Sequence, residues 1–264
     1  MPNRKEVTVS ELRLDAVSKS FGGLHAVSNI DLVAPQGSIT GLIGPNGAGK
    51  TTIINLITGT LRISSGRVFL DDVELTTAEP DVIARRGVSR TFQNIRLLPE
   101  ASVLDNVIIG FHRHERSSVV AGLLGLPSSL RETRALRQRG MEILKRFRIE
   151  RFADAAAGSL AYGHQRRVEM ARAVAAQPRI LLLDEPVAGM NDVEADELGD
   201  LYEELAASGI GLLMIEHNVR FVTRMCTRIY AMASGKMIAA GPPGEVLKDP
   251  NVITAYLGDR YAKG

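Results

Sequence analysis

Residues 44–51, Gly-Pro-Asn-Gly-Ala-Gly-Lys-Thr, constrain the fold more than any other part of this chain. A Gly-x4-Gly-Lys-Thr pattern arises by chance in on the order of one chain in a hundred of this length, with glycine at about 7% of residues. Here it follows an apolar strand, Ser38 to Ile43, and opens a helical run, Thr51 to Thr60. That context makes it a phosphate-gripping loop. Gly44, Gly47 and Gly49 let the backbone wrap closely, while successive N–H groups and the helix start supply positive potential. Lys50 is placed to reach β- and γ-phosphates, and Thr51 to set a hydroxyl on Mg²⁺.

Four further features fit the same chemistry. The apolar run Ile180 to Leu183 ends in Asp184-Glu185. A buried parallel strand delivers its carboxyl end to the ligand crevice, so Asp184 is expected to hold Mg²⁺ and Glu185 to polarise an attacking water. Gln93, after Thr91-Phe92, stands at a strand end, where its amide can ligate Mg²⁺ and orient water. His217 ends another apolar strand, Leu212 to Ile215, after Glu216, and a γ-phosphate contact is geometrically sensible there. Finally, Leu160 to Gln165 reads as a second phosphate-gripping loop opening a helix. One nucleotide site needs one such loop, so the second suggests that each copy completes a partner's site.

The chain's organisation is α/β. Leu12 to Val17 and Ala26 to Val33 read as strands around a turn at Phe21-Gly22-Gly23, and Arg67 to Leu70 with Val73 to Leu75 as a hairpin. From Ser102, which has capping-box spacing to Asp105, to about Phe152 the text is mostly helical, with a loop expected over Ser117 to Ser129. Leu136, Gly140, Ile143, Leu144 and Phe147 share one helical face, and arginines and lysines crowd the rest. An amphipathic helix with a solvated basic face explains that run better than nucleic-acid binding does, and a net charge of +2 gives no global pull toward nucleic acid. The 264 residues hold one cysteine, Cys226, so no intrachain disulfide forms, and burial as a small hydrophobe is its expected fate. Met1 to Val7 lack the apolar stretch of a signal peptide, and no run of about 18 apolar residues occurs, so any membrane role is expected to go through a partner. His25, His112, His114 and His164 show no metal-site spacing.

The order of these motifs, from the glycine loop through Gln93, Leu-Ala-Tyr-Gly-His-Gln, Ile-Leu-Leu-Leu-Asp-Glu-Pro and His217, resembles that of an ABC transporter ATPase over about Leu12 to Gly258. Phe21 to Val27, Arg90 to Pro99, Tyr162-Gly163, Ala188 to Asn191 and Ile253 to Gly258 resemble one branch, the ATP-binding subunits of branched-chain amino acid importers. The resemblance implies a P-loop NTPase core with an antiparallel β subdomain over residues 9–93 and 161–264. Residues 94–160 would form an inserted helical subdomain that meets the membrane subunit, with Arg96 to Pro99 as candidate contacts. It implies ATP held by Phe21, Val27, Gly44, Pro45, Asn46, Gly47, Ala48, Gly49, Lys50, Thr51 and Thr52. The partner's ATP would be gripped by Ala161, Tyr162, Gly163 and His164. Glu185, His217, Gln93 and Lys50 would be catalytic, and Thr51, Gln93 and Asp184 would attend Mg²⁺.

The implied partners are a second ATPase subunit, identical or different, integral membrane permeases and, indirectly, a substrate-binding protein. The implied place is the cytoplasmic face of the inner membrane. Two departures from the wider pattern stand out. Ala161 lacks the hydroxyl of the usual Leu-Ser-Gly-Gly-Gln, which weakens the grip on the partner's γ-phosphate, and Asn191 replaces a common Asp. Alternatives are lipid or polysaccharide export, urea uptake, and soluble ABC ATPases of translation or DNA repair. The soluble class commonly carries two cassettes or a long coiled-coil insertion, and this chain has neither. A binding module without hydrolysis conflicts with Lys50, Asp184 and Glu185.

Overall fold

Leu12 and Leu14 are buried while their neighbours are not, the period of a strand with one covered face, and a register shift after Leu14 brings Val17 to the buried side as well. The computed structural model describes the backbone of residues 10–111 and 127–261, and side chains over 10–111 and 132–256. The first strand is β1 (Glu11–Phe21) and pairs antiparallel with β2 (Leu24–Pro35). Both strands run longer than the apolar pattern alone suggests. Gly22 and Gly23 join them with φ of 51° and 92°, the left-handed pair that a two-residue hairpin turn requires.

The chain continues through β3 (Ile39–Ile43), α1 (Lys50–Ile57), β4 (Ser65–Leu70), β5 (Val73–Glu74), α2 (Pro80–Arg86), β6 (Val88–Arg90), α3 (Val103–Ile109) and α4 (Pro127–Arg146). Then come α5 (Tyr162–Ala175), β7 (Ile180–Asp184), α6 (Asp192–Ala207), β8 (Gly211–Ile215) and α7 (Val219–Met225). Last are β9 (Arg228–Ala233), β10 (Lys236–Gly241), α8 (Pro243–Val246) and α9 (Pro250–Tyr261). Two compact units result. One holds the residues up to Val88, Arg179–Glu185 and those from Tyr202 onward; the other holds Ser89–Pro178 and Pro186–Leu201.

The first unit contains two sheets. β2-β1-β4-β5 is antiparallel, and β4 and β5 form the expected hairpin. The other sheet runs β10-β9-β3-β8-β7, with β6 beginning at Val88 at its edge. β3 is parallel to β8 and β9, β7 is parallel to β8, and β10 closes the far edge antiparallel. Every residue of β3, β7 and β8 is buried, which is why these segments read as unbroken apolar runs rather than alternating ones. Their side chains join those of β1, β2 and α1 in one core that includes Leu14, Ile30, Leu42, Ile53, Leu182 and Leu213. Cys226 is buried and its thiol is pushed up to about 12, first by burial and then by Glu216, so it stays protonated as a small apolar group.

The second unit is helical around Val107, Phe111, Leu144, Phe147, Val168 and Met170. On α4, Gly140 and Leu144 are buried, as is Phe147 just beyond its end, while Leu136 and Ile143 are half-buried, as the helical spacing predicts. Gly140 has reason to lack a side chain, since a Cβ there would meet Leu104 Cδ1 at 2.7 Å. The basic residues of this helix lie mostly outward; Arg137 faces Asp105 at 3.6 Å and Asp154 at 3.9 Å. Ser102 caps α3, accepting from the Asp105 N–H at 3.0 Å while donating its hydroxyl to Asp105 Oδ2 at 2.6 Å. The expected loop over Ser117 to Ser129 is shorter at its end, because Pro127 to Ser129 open α4; proline loses no helical hydrogen bond in the first turn. The remainder of that loop, with His112 and His114, lies outside the described residues. No described helix is long and apolar enough to cross a membrane.

Candidate functional site

The loop after β3 turns on Gly44, whose φ of 151° only glycine holds without strain. A Cβ there would sit 2.2 Å from the Met232 carbonyl oxygen of β9, so the loop lies directly on the neighbouring strand. Gly44→Ala is expected to destabilise the chain by about 1–3 kcal/mol through overpacking, seen as a Tm several degrees lower and loss of nucleotide binding. Gly49 then takes the N-cap of α1 in a left-handed conformation with no side-chain cap. The first N–H groups of the helix are therefore left for a ligand. The Lys50 ammonium, nearly buried, donates to the carbonyls of Gly44 at 2.7 Å and Pro45 at 2.9 Å.

This loop lines a cavity of about 540 Å³. Its walls are Leu24, His25, Ala26, Asn46 through Thr52, Glu185, Ser234 and Gly235. Glu185 enters from the end of β7 with φ of 48°, an uncommon conformation for a residue with a Cβ and one that concentrates at functional sites. Its N–H is held by the Ile215 carbonyl of β8 at 3.0 Å. His217, largely exposed just past β8, has Nδ1 3.9 Å from Glu185 Oε1. Asp184, buried at the end of β7, precedes Glu185 directly. The buried Glu216 carboxylate accepts the N–H groups of His217 at 3.1 Å and Asn218 at 3.3 Å, which fixes the backbone carrying the histidine.

A second constellation lies in the helical unit. α5 starts at Tyr162, with Ala161 as an N-cap that offers no side-chain acceptor. Ala161, Gly163, His164 and Arg167 line a cavity of about 160 Å³ with Met190, Glu194, Glu197 and Leu198. Tyr162 is exposed. The His164 ring packs tilted against Phe152, 4.8 Å between centroids, and burial, then Arg167 and Arg151, hold its basicity below the ordinary imidazole value. Asn191 forms a reciprocal cap at the start of α6. Its Oδ1 accepts from the Glu194 N–H at 3.0 Å, and Glu194 Oε2 accepts from the Asn191 N–H at 3.1 Å. The asparagine at this position thus does a helix-capping job that any Asx residue can do.

Of the residues expected around the nucleotide, Asn46, Gly47, Ala48, Gly49, Lys50, Thr51, Thr52 and Glu185 share the larger cavity. Val27 is fully buried beneath it, where its Cγ1 would lie 2.7 Å from a Cβ at Gly49. Phe21 stands exposed at the hairpin turn with the Lys19 ammonium 4.9 Å above its ring. Gln93 is exposed in the loop after β6, in the helical unit. The sequence reading missed the cavity walls made by Leu24, His25, Ala26, Ser234 and Gly235. Their only signal was turn chemistry between strands, at Gly22-Gly23 and Ser234-Gly235. Gly235 N–H donates to Ala48 O at 3.1 Å, and Gly235 O accepts from Ser28 N–H at 2.8 Å, so this turn ties the phosphate loop to β2.

A glycine loop between a buried parallel strand and a helix, facing an acid at the end of a second parallel strand, defines a P-loop nucleotide-hydrolysing fold. Comparison with known proteins narrows this. Residues 27–188 match the ABC transporter family, and residues 236–262 match the branched-chain amino acid ATP-binding cassette transporter family. The chain is 39% identical to the high-affinity branched-chain amino acid transport ATP-binding protein BraF of Pseudomonas aeruginosa, over 94% of this chain and 98% of that one. It is 40% identical, over the same shares, to the corresponding protein LivG of Escherichia coli K12. Among solved structures, the ADP conformation of MJ1267, an ATP-binding cassette of an ABC transporter, superimposes with a TM-score of 0.82 at 32% identity, covering 95% of this chain and all of that one. The chain belongs to the ABC transporter ATPases, in their branched-chain amino acid transport branch.

Proposed function

We propose that this protein is the ATP-hydrolysing subunit that powers an importer of branched-chain or related amino acids, bound peripherally at the cytoplasmic face of the membrane. The observation that carries the chemistry is the single cavity that gathers Lys50, Thr51 and Glu185 around a glycine loop. Backbone N–H groups at the start of α1 and the Lys50 ammonium bind the β- and γ-phosphates. Glu185 polarises the attacking water, and His217, 3.9 Å from it, contacts the γ-phosphate. Phe21 offers an aromatic face to adenine from the hairpin turn.

The donors suit Mg²⁺ shared with a substrate. Among the described residues no group of three His, Cys, Asp or Glu could hold a metal alone, whereas Thr51 and Asp184 offer a hydroxyl and a carboxylate. Mg²⁺ is characteristically bound by one or two such oxygens together with substrate phosphates. Once bound there, it supplies charge neutralisation on the β- and γ-phosphates.

Two such chains would sandwich two ATP molecules, each between one chain's glycine loop and the other chain's Ala161 to His164. Closure would move permeases docked on the helical unit near Arg96 to Pro99. The N–H groups that open α5 remain as donors to the partner's γ-phosphate, although Ala161 brings no hydroxyl. Ala161→Ser is therefore expected to tighten ATP use by the assembled transporter about ten- to 150-fold at most, the worth of one hydrogen bond of about 1.5–3 kcal/mol to a charged group. An unchanged rate and ATP affinity would show that the hydroxyl does not matter here.

The decisive experiment reconstitutes the chain with its permeases and binding protein in vesicles. ATP-dependent uptake of leucine, isoleucine or valine is expected. A second reading, lipid export, draws on 35% identity to the lipopolysaccharide export ATP-binding protein LptB of Escherichia coli K12 over 93% of this chain and 96% of that one. The match of residues 236–262 to the branched-chain family favours import. Failure of amino acid uptake together with co-purification of lipid-exporting permeases would reverse that preference.

A further inference from the structure

The helical unit contains a fully buried ion pair that the chemistry described so far does not use. Arg166 and Glu169 stand one turn apart on α5, just past Ala161 to His164, and both are almost wholly shielded from solvent. Arg166 Nη1 lies 2.7 Å from Glu169 Oε2. A buried pair is weak evidence of stabilisation, because removing two charges from water costs about as much as their attraction returns. The value of this pair lies in what else it holds. Arg166 Nη1 donates to the Phe92 carbonyl at 2.5 Å, and Arg166 Nε donates to the Pro186 carbonyl at 3.3 Å. Glu169 Oε1 accepts from the Phe92 N–H at 3.4 Å. Phe92 is the residue before Gln93, and Pro186 is the residue after Glu185.

The same loop is fastened at further points. Arg172, a turn further along α5, donates to the Arg96 carbonyl. Asn106 of α3, fully buried, accepts from the Leu98 N–H at 2.9 Å and donates to the Leu98 carbonyl at 3.0 Å. Residues 92–98 are thus irregular backbone held in place by side chains from two helices.

We propose that Arg166 and Glu169 are positioning residues for ATP hydrolysis: they lock the opening turns of α5 to the backbone that carries Gln93 and to Pro186, the residue that follows Glu185 in the chain. A movement of α5, the helix that would engage a partner's nucleotide, is then passed to the backbone of Phe92 and Pro186 rather than absorbed by loops. This rests on the reading of the chain as a transport ATPase that works in pairs. Two buried charges and four hydrogen bonds in one cluster have a fixed geometry, which a chain of apolar contacts would not impose.

The test separates positioning from folding. In Arg166→Met/Glu169→Leu both charges are replaced by apolar groups of similar bulk, a change that buried pairs commonly tolerate. In the assembled transporter, the double variant is expected to keep its Tm within a few degrees and its KM for ATP within about twofold, while kcat falls on the order of 100-fold, as a small misplacement of catalytic groups does. Normal kcat in that variant overturns the proposal, and so does a parallel collapse of Tm, KM and kcat, which marks a purely structural pair. If the double variant fails to fold, Glu169→Gln keeps the shape and the acceptor toward Phe92. A severalfold lower kcat at unchanged Tm and KM supports the proposal, and an unchanged kcat overturns it. If the unaltered transporter itself hydrolyses no ATP, the underlying transport reading fails instead, and the two failures are told apart by that control.

Discussion

Glu185→Gln is expected to lower the rate of ATP hydrolysis about 10²–10⁴-fold while leaving ATP binding intact. The carboxylate lines the cavity beside Lys50 and Thr51, on a backbone held by Ile215 and forced into the left-handed region. Glutamine has the same shape and keeps this backbone, but it is too weak a base to take a proton from water. The bound nucleotide is then expected to stay whole, and the proposed pair of chains to stay closed around it. Single-turnover hydrolysis and gel filtration with ATP measure both halves of the expectation: little product, and a dimer that persists. Normal turnover in this variant would remove Glu185 from the role of base and direct attention to His217, 3.9 Å away.

Lys50→Ala acts earlier. The ammonium is nearly buried and makes two hydrogen bonds to its own loop, at 2.7 and 2.9 Å, so it braces Gly44 and Pro45 as well as offering charge to phosphate. Each hydrogen bond to a charged group is worth about 1.5–3 kcal/mol, and loss of one already weakens binding roughly ten- to 150-fold. Hydrolysis is expected to vanish at ordinary ATP concentrations, with KM rather than kcat as the first casualty. Titration with a fluorescent ATP analogue checks this. Unaltered affinity would mean that the backbone N–H groups of α1 carry the phosphate alone. Because Glu185→Gln is expected to spare binding and Lys50→Ala to weaken it, the two variants also separate chemistry from recognition.

The sequence made some parts of the site legible and hid others. Gly44 to Thr52 is legible because all its chemistry is contiguous: a strand, a loop that only glycine permits, and the first turn of a helix follow one another between Ile39 and Ile53. Asp184-Glu185 and His217 are legible because each follows a buried parallel strand, and an unbroken apolar run marks such a strand. The other half of the cavity wall is not. Ser234 and Gly235 reach the phosphate loop only because β9 pairs in parallel with β3, across nearly two hundred residues, and carries its turn to Ala48. Arg166 and Glu169 show the same limit within one helix. Written in sequence they are two charges in a basic stretch, which solvent exposure would explain, yet the fold buries both against Phe92 and Pro186. A boundary error has a local cause as well: Pro127 reads as a loop residue but starts a helix, where its missing N–H costs nothing.

By itself, then, the amino-acid order determined the strand–loop–helix that grips phosphate, the acid pair that follows a buried strand, and the family resemblance carried by those segments. All of these depend on backbone conformations and hydrogen bonds made among near neighbours. The tertiary structure alone decided which distant turns close the cavity and that two charged residues of α5 are buried as a unit. The cost of burying a charge or leaving a backbone group unpaired is settled only when the partner arrives, and those partners lie up to about two hundred residues away in the chain.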